Sequence, residues 1–149
     1  MLSKEFSFIE DCIKFKEKKN LSVSKANVGW HLDHSLKVIN SVFEILRVSK
    51  AYDYRKEFNG LRIFTFALGF FPRGKAKSPE KVLPPAIIKK KDIENQLEEA
   101  IKNIASVKEL QENQYFTHPL FKQLNKKQTV RFLKLHTNRH LKIIIDILK

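Results

Sequence analysis

Apolar side chains return every third or fourth position along nearly the whole chain, and that spacing commits it to amphipathic helices. Phe6, Ile9 and Ile13 set the period over residues 3–19, with Lys14, Glu17 and Lys18 turned outward. A second helix is predicted to open at Ser22 or Ser24, both good capping residues, and to run to about Lys50. A third candidate covers 54–69, weakened by Gly60. Residues 72–91 read as loop, being rich in proline and lysine. The period resumes at Asp92, a predicted cap, with Ile93, Leu97, Ala100, Ile101 and Ile104 on one stripe. Residues 111–124, containing Thr117-His118-Pro119, break it again. Asn125 followed by Gln128 resembles a capping box that opens the final helix.

Four long helices with a long middle connection describe an all-α, four-helix bundle, with an extra short helix in the crossover. At 149 residues, with 4 glycines and 5 prolines, the chain reads as a single domain over 1–149 and not as a turn-rich β fold. The crossover permits neighbouring helices to run parallel. One cysteine, Cys12, excludes an internal disulfide framework and any CxxC metal knuckle, and reads as a packing residue. No secretory apolar segment opens the chain, and Ile63–Phe71 is too short for a membrane span. The expectation is therefore a cytoplasmic protein with no membrane partner.

The 29 Lys and Arg against 16 Asp and Glu leave +13, concentrated in 73–91 and 122–149. No nucleic-acid motif or interleaved aromatic pattern accompanies that charge, so nucleic acid is not the expected partner. The basic stretch 73–91 could instead attract an anionic substrate or cofactor. Ile63–Phe71 carries Phe64, Phe66, Phe70 and Phe71, and reads as a helix packed on the bundle or as a partner surface; a homodimer satisfies both.

The histidines carry the chemistry. His136 and His140 stand one helical turn apart and point within about 40° of each other. Phe132, Leu133, Ile143, Ile144 and Ile147 flank them, while Arg131, Lys134, Asn138 and Lys149 take the opposite face. Two imidazoles on one buried turn can share a metal ion; the plainer reading is a pair of core histidines satisfied by neighbouring polar groups. In the second helix, His31 and His34 both fall within the broad apolar arc, and the wheel does not choose between them as a third ligand. Asp33, Lys37, Asn40, Glu44 and Arg47 are expected to face solvent. Three histidines without a cysteine suit a divalent transition metal such as zinc or nickel and leave coordination positions open. An HExxH site is excluded, because Thr137 holds the place of the general base.

Leu32-Asp33-His34-Ser35, His118-Pro119-Leu120-Phe121-Lys122-Gln123-Leu124 and His136-Thr137-Asn138-Arg139-His140-Leu141 together resemble the DinB-like superfamily, also called the YfiT-like metalloenzymes. The likeness is closest to a branch of mostly unknown function and spans nearly the whole chain. It implies an up-down-down-up four-helix bundle, frequently dimeric, with a metal held by His34, His136 and His140. His31 is then a packing or supporting group and His118 a loop residue ordering the approach to the last helix. Characterised relatives include thiol-dependent transferases and isomerases, so the resemblance implies a metal-dependent transferase using a low-molecular-weight thiol, or a hydrolase, acting on a small molecule. The competing expectations are a non-catalytic metal-binding or structural bundle and a basic nucleic-acid-binding protein.

Overall fold

The computed structural model describes residues 1–71 and 78–149; Arg73, Lys75 and Lys77 of the basic stretch lie outside them. The described residues form five α-helices and one small hairpin: α1 (Ser3–Cys12), α2 (Val28–Val48), α3 (Gly60–Leu68), α4 (Lys90–Ser106), β1 (Tyr115–His118), β2 (Lys122–Asn125) and α5 (Lys126–Leu148). Helix α2 packs on both α4 and α5, and α1 touches the same two. Their apolar stripes meet in one core, where Ile9, Leu32, Leu36, Ile93, Leu133 and Ile144 are fully buried. Helix α3 belongs to the long connection between α2 and α4.

The all-α expectation needs one correction. Residues 115–125, where the helical period fails, pair as an antiparallel hairpin with Tyr115 opposite Asn125 and His118 opposite Lys122. Three residues join the strands, and Lys122 absorbs the reversal at φ 58. Pro119 cannot donate to a helix ladder, which is why this stretch does not simply extend its neighbours.

Several helix ends also move from their sequence-based positions. The first helix ends at Cys12 and tightens into a 3₁₀ turn over Ile13–Phe15. Helix α2 starts at Val28, later than either serine, because Asn27 takes the capping role and accepts from Trp30 N–H at 2.9 Å. The chain is drawn in there by Gly29, whose N–H donates to the Lys16 carbonyl at 2.8 Å. A Cβ at Gly29 would stand 3.0 Å from that oxygen, so only glycine fits this approach without a shift. Helix α3 is shorter than 54–69. Asn59 caps it, accepting from Arg62 N–H, and Gly69 ends it at φ 75 in the left-handed region. Helix α4 opens at Lys90, so Asp92 lies inside the first turn, where its charge suits the helix dipole, and is not the cap.

The capping box of α5 forms as its sequence suggests: Asn125 Oδ1 accepts from Gln128 N–H at 2.9 Å and Gln128 Oε1 accepts from Asn125 N–H at 3.0 Å. Asn125→Ala should lower stability by about 1 kcal/mol. That loss is readable as a lower urea midpoint at unchanged m-value.

Candidate metal centre

Two helices build the site. Helix α5 brings His136 and His140 to one side, and α2 brings His34 opposite them. The three rings stand with centroids 4.7 to 5.2 Å apart. One nitrogen from each lies within 4.8 Å of the others, close enough to hold a single metal ion. Among the described residues no further histidine, cysteine or carboxylate joins that group.

The tautomer of His34 follows from its partner. Its Nδ1 lies 2.8 Å from the Val82 carbonyl, which can only accept, so Nδ1–H donates and Nε2 carries the free lone pair. Such a carbonyl behind a ligating imidazole fixes both proton and ring orientation. Val82 is buried in a 3₁₀ turn (Glu80–Val82) of the crossover. Ser78 Oγ sits 3.4 Å from His34 Nε2. Trp30 stacks on His34 at 4.9 Å and walls the site on that side.

His31 is buried too, but it lies outside the triad and supports it from behind. Its Nδ1 lies 2.9 Å from His140 Nδ1, so one ring donates and the other accepts. When His140 donates, its Nε2 is left for a ligand, and His31 carries its own proton on Nε2, 3.0 Å from Ser24 Oγ. The serine considered as a helix cap thus ends a Ser24–His31–His140 chain. No spacing rule reaches across the 109 residues between His31 and His140. His136 differs from both: among the described residues its buried Nδ1 has no hydrogen-bond partner. A buried imidazole nitrogen without a partner is costly in an apolar setting, and a metal ion bound through that nitrogen would relieve the cost.

Burial sets the charge state. It pushes His136 down to about 3, with the charges of His34, Arg139 and His118 adding to the effect. Burial likewise holds His140 far below its ordinary value, helped by His136, His34, His31 and Arg139. His34 is lowered by burial, and its bond to Val82 offsets part of the shift. All three are therefore neutral near pH 7, the form in which imidazole binds a metal.

His118 is elsewhere. It ends β1, and its Nδ1 accepts from the N–H groups of Leu120 and Phe121 at 3.0 and 3.1 Å. The ring stacks on Phe121 at 4.4 Å and meets Phe132 edge-on at 4.9 Å. It organises the hairpin turn just before α5, and burial lowers its pKa to about 4.

Asp33 departs from its expected place. It is 1% exposed, not solvent-facing, and its Oδ1 accepts from Gln96 at 2.8 Å while Lys37 pairs with Oδ2. Asn40 donates to the Gln96 carbonyl, and Asn103 donates to Asn40. A polar ladder therefore runs along the α2–α4 contact, one residue away from His34. The sequence carries its trace: Asp33 and Asn40 are spaced by seven, as are Gln96 and Asn103.

A cleft of about 230 Å³ opens on the flank of α5, lined by Phe70, Phe71, Leu135, Asn138, Arg139 and Lys142 beside Gly69. Arg139 links it to the triad, since the guanidinium charge acts on His34, His136 and His140 alike. Cys12, read as a packing residue, is indeed buried in the core, and burial raises its thiol pKa. Comparison with protein-family models, with curated proteins and with solved structures finds no match to this chain.

Proposed function

We propose that the chain is a metal-binding helical bundle of the DinB-like kind, with α1, α2, α4 and α5 as its four helices in up-down-down-up order. His34, His136 and His140 hold one divalent transition ion, with zinc or nickel the best match to three neutral imidazoles. The observation that carries this reading is the convergence of three histidines within 4.8 Å while His136 Nδ1 stays buried without a partner.

Three protein ligands leave room for a small molecule, and an ion held this way lowers the pKa of a thiol or water that reaches it. The chain's own residues supply position. Val82 and His31 orient the rings, Trp30 and Phe132 exclude water from two sides, and Arg139 and Lys142 make the neighbouring cleft favourable for an anionic substrate. A thiol-dependent transferase or a hydrolase fits this arrangement. No carboxylate stands within the histidine group, and that favours as second reading a bundle that binds metal without catalysis.

Elemental analysis of untagged protein tests the core of the proposal. About one zinc or nickel ion per chain is expected, as for a three-histidine site. A stoichiometry near zero after exposure to zinc, nickel and manganese would overturn it. A screen of low-molecular-weight thiols against electrophilic acceptors then separates the transferase from the non-catalytic bundle.

A further inference from the structure

Helix α3 is turned inside out. Its polar residues, Arg62 and Thr65, are buried against the protein, and the opposite side presents Leu61, Ile63, Phe64, Ala67 and Leu68 to solvent. At about 100° per residue these five fill one continuous arc of roughly 160°. Phe64 is 63% exposed, and Phe58, just before the helix, is 84% exposed. Phe70 extends the patch beyond the helix end. Apolar exposure of this kind, contiguous and on one element, marks a surface made for contact.

Its rim is basic. Arg55 and Lys56 precede Phe58 and are exposed. Arg131 of α5 reaches over to donate to the Phe66 carbonyl at 3.0 Å, and Lys122 sits at the same edge, paired with Glu57 at 3.2 Å. The chain behind this rim carries +13.

We infer that the outer face of α3 docks on an anionic lipid surface, its apolar arc entering the headgroup boundary while the rim cations meet lipid phosphates. Two properties of the face select this occupant. A second copy would bring the same cations together across a symmetric contact, where like charges oppose association. A protein interface also carries about one hydrogen bond per 100–200 Å², whereas the side chains of this arc offer no donor or acceptor. Lipid tails require neither shape nor hydrogen bonds. No helix among the described residues is long and apolar enough to cross a membrane, so the contact is peripheral. It is independent of the metal centre.

Sedimentation of the full chain with vesicles tests this. The protein should pellet with phosphatidylcholine vesicles containing about a third phosphatidylserine, should pellet far less with phosphatidylcholine alone, and should be released by high salt. Phe64→Ser with Leu68→Ser should lower partitioning about tenfold or more by removing the apolar anchor. Both positions are exposed, so the thermal midpoint should hold. Arg55→Glu with Lys56→Glu should weaken binding to anionic vesicles only. The inference is overturned by absence from the anionic pellet, or by sedimentation unchanged in the Phe64/Leu68 variant. A dimer mass in light scattering that this variant returns to monomer would also overturn it, by assigning the face to a second copy.

Discussion

Zinc added to the metal-free protein should raise its thermal midpoint by roughly 5–10 °C at about a hundredfold excess over Kd, and His136→Ala should abolish the rise. An ion that binds only the folded chain stabilises it by about 2.7 kcal/mol at that excess. The unfolded chain offers no competing site of equal quality, because His136 and His140 of α5 and His34 of α2 are separated by about a hundred residues until the helices pack. The size of the response distinguishes roles. His34→Ala, His136→Ala and His140→Ala each remove one histidine of the triad and should each flatten the zinc response. His31→Phe removes only the group behind His140, so it should weaken affinity about 10–100-fold, the usual cost of losing a partner behind a ligand, and leave a smaller rise at the same zinc concentration. Differential scanning calorimetry across a zinc series reads both effects. A rise that survives in His136→Ala would move the metal away from this triad.

The site is more legible in the sequence than its supports are. His136 and His140 are one turn apart on a strongly periodic helix, so local geometry alone puts them on one face. Choosing between His31 and His34 is different, because both are buried on α2 and the choice depends on which ring α5 meets. Helical spacing fixes direction around one axis, not the offset between two axes, so it leaves the choice open that the resemblance made for His34; the packed structure brings His34 into the triad and sets His31 behind it. The carbonyl of Val82 is hidden for a similar reason: any backbone oxygen could serve, and no side chain advertises it. Asp33 shows where single-helix reading misleads. A charged residue among Lys37, Glu44 and Arg47 reads as solvated, yet α4 supplies Gln96 to satisfy it in the interface. The hairpin escapes because strands of four residues have too few positions to show a period of two. Helix α3 has the helical pattern but the wrong face inward, since sequence patterning presumes that the apolar side finds its partner within the same chain.

Acid should unfold the metal-free protein with a midpoint between about pH 3 and 5, and histidines should supply the loss of stability that sets in above the carboxylate range. In the folded chain burial lowers His118 to about 4 and His136 to about 3, and holds His140 far below its ordinary value; the ordinary histidine value is 6.5. Above that value both states are neutral at these positions and no stability is lost. As pH falls below it, the unfolded chain takes up protons that the folded chain refuses, so stability drops with decreasing pH. Each such group contributes about 1.4 kcal/mol per pH unit, and three together give a slope of about 4 kcal/mol per unit down to about pH 4, where His118 begins to protonate in place. A domain of ordinary stability, about 5–15 kcal/mol, is exhausted within a few units on that slope. Zinc should then move the acid midpoint downward, because it selects the deprotonated folded triad; a stabilisation of about 2.7 kcal/mol divided by that slope gives about 0.7 pH unit at a hundredfold excess. Circular dichroism across an acid titration, with and without zinc, measures both quantities. A urea midpoint that stays flat from about pH 6.5 to about pH 4 would place the transition among carboxylates, whose ordinary pKa values are about 4. It would show that these histidines are not held neutral by burial.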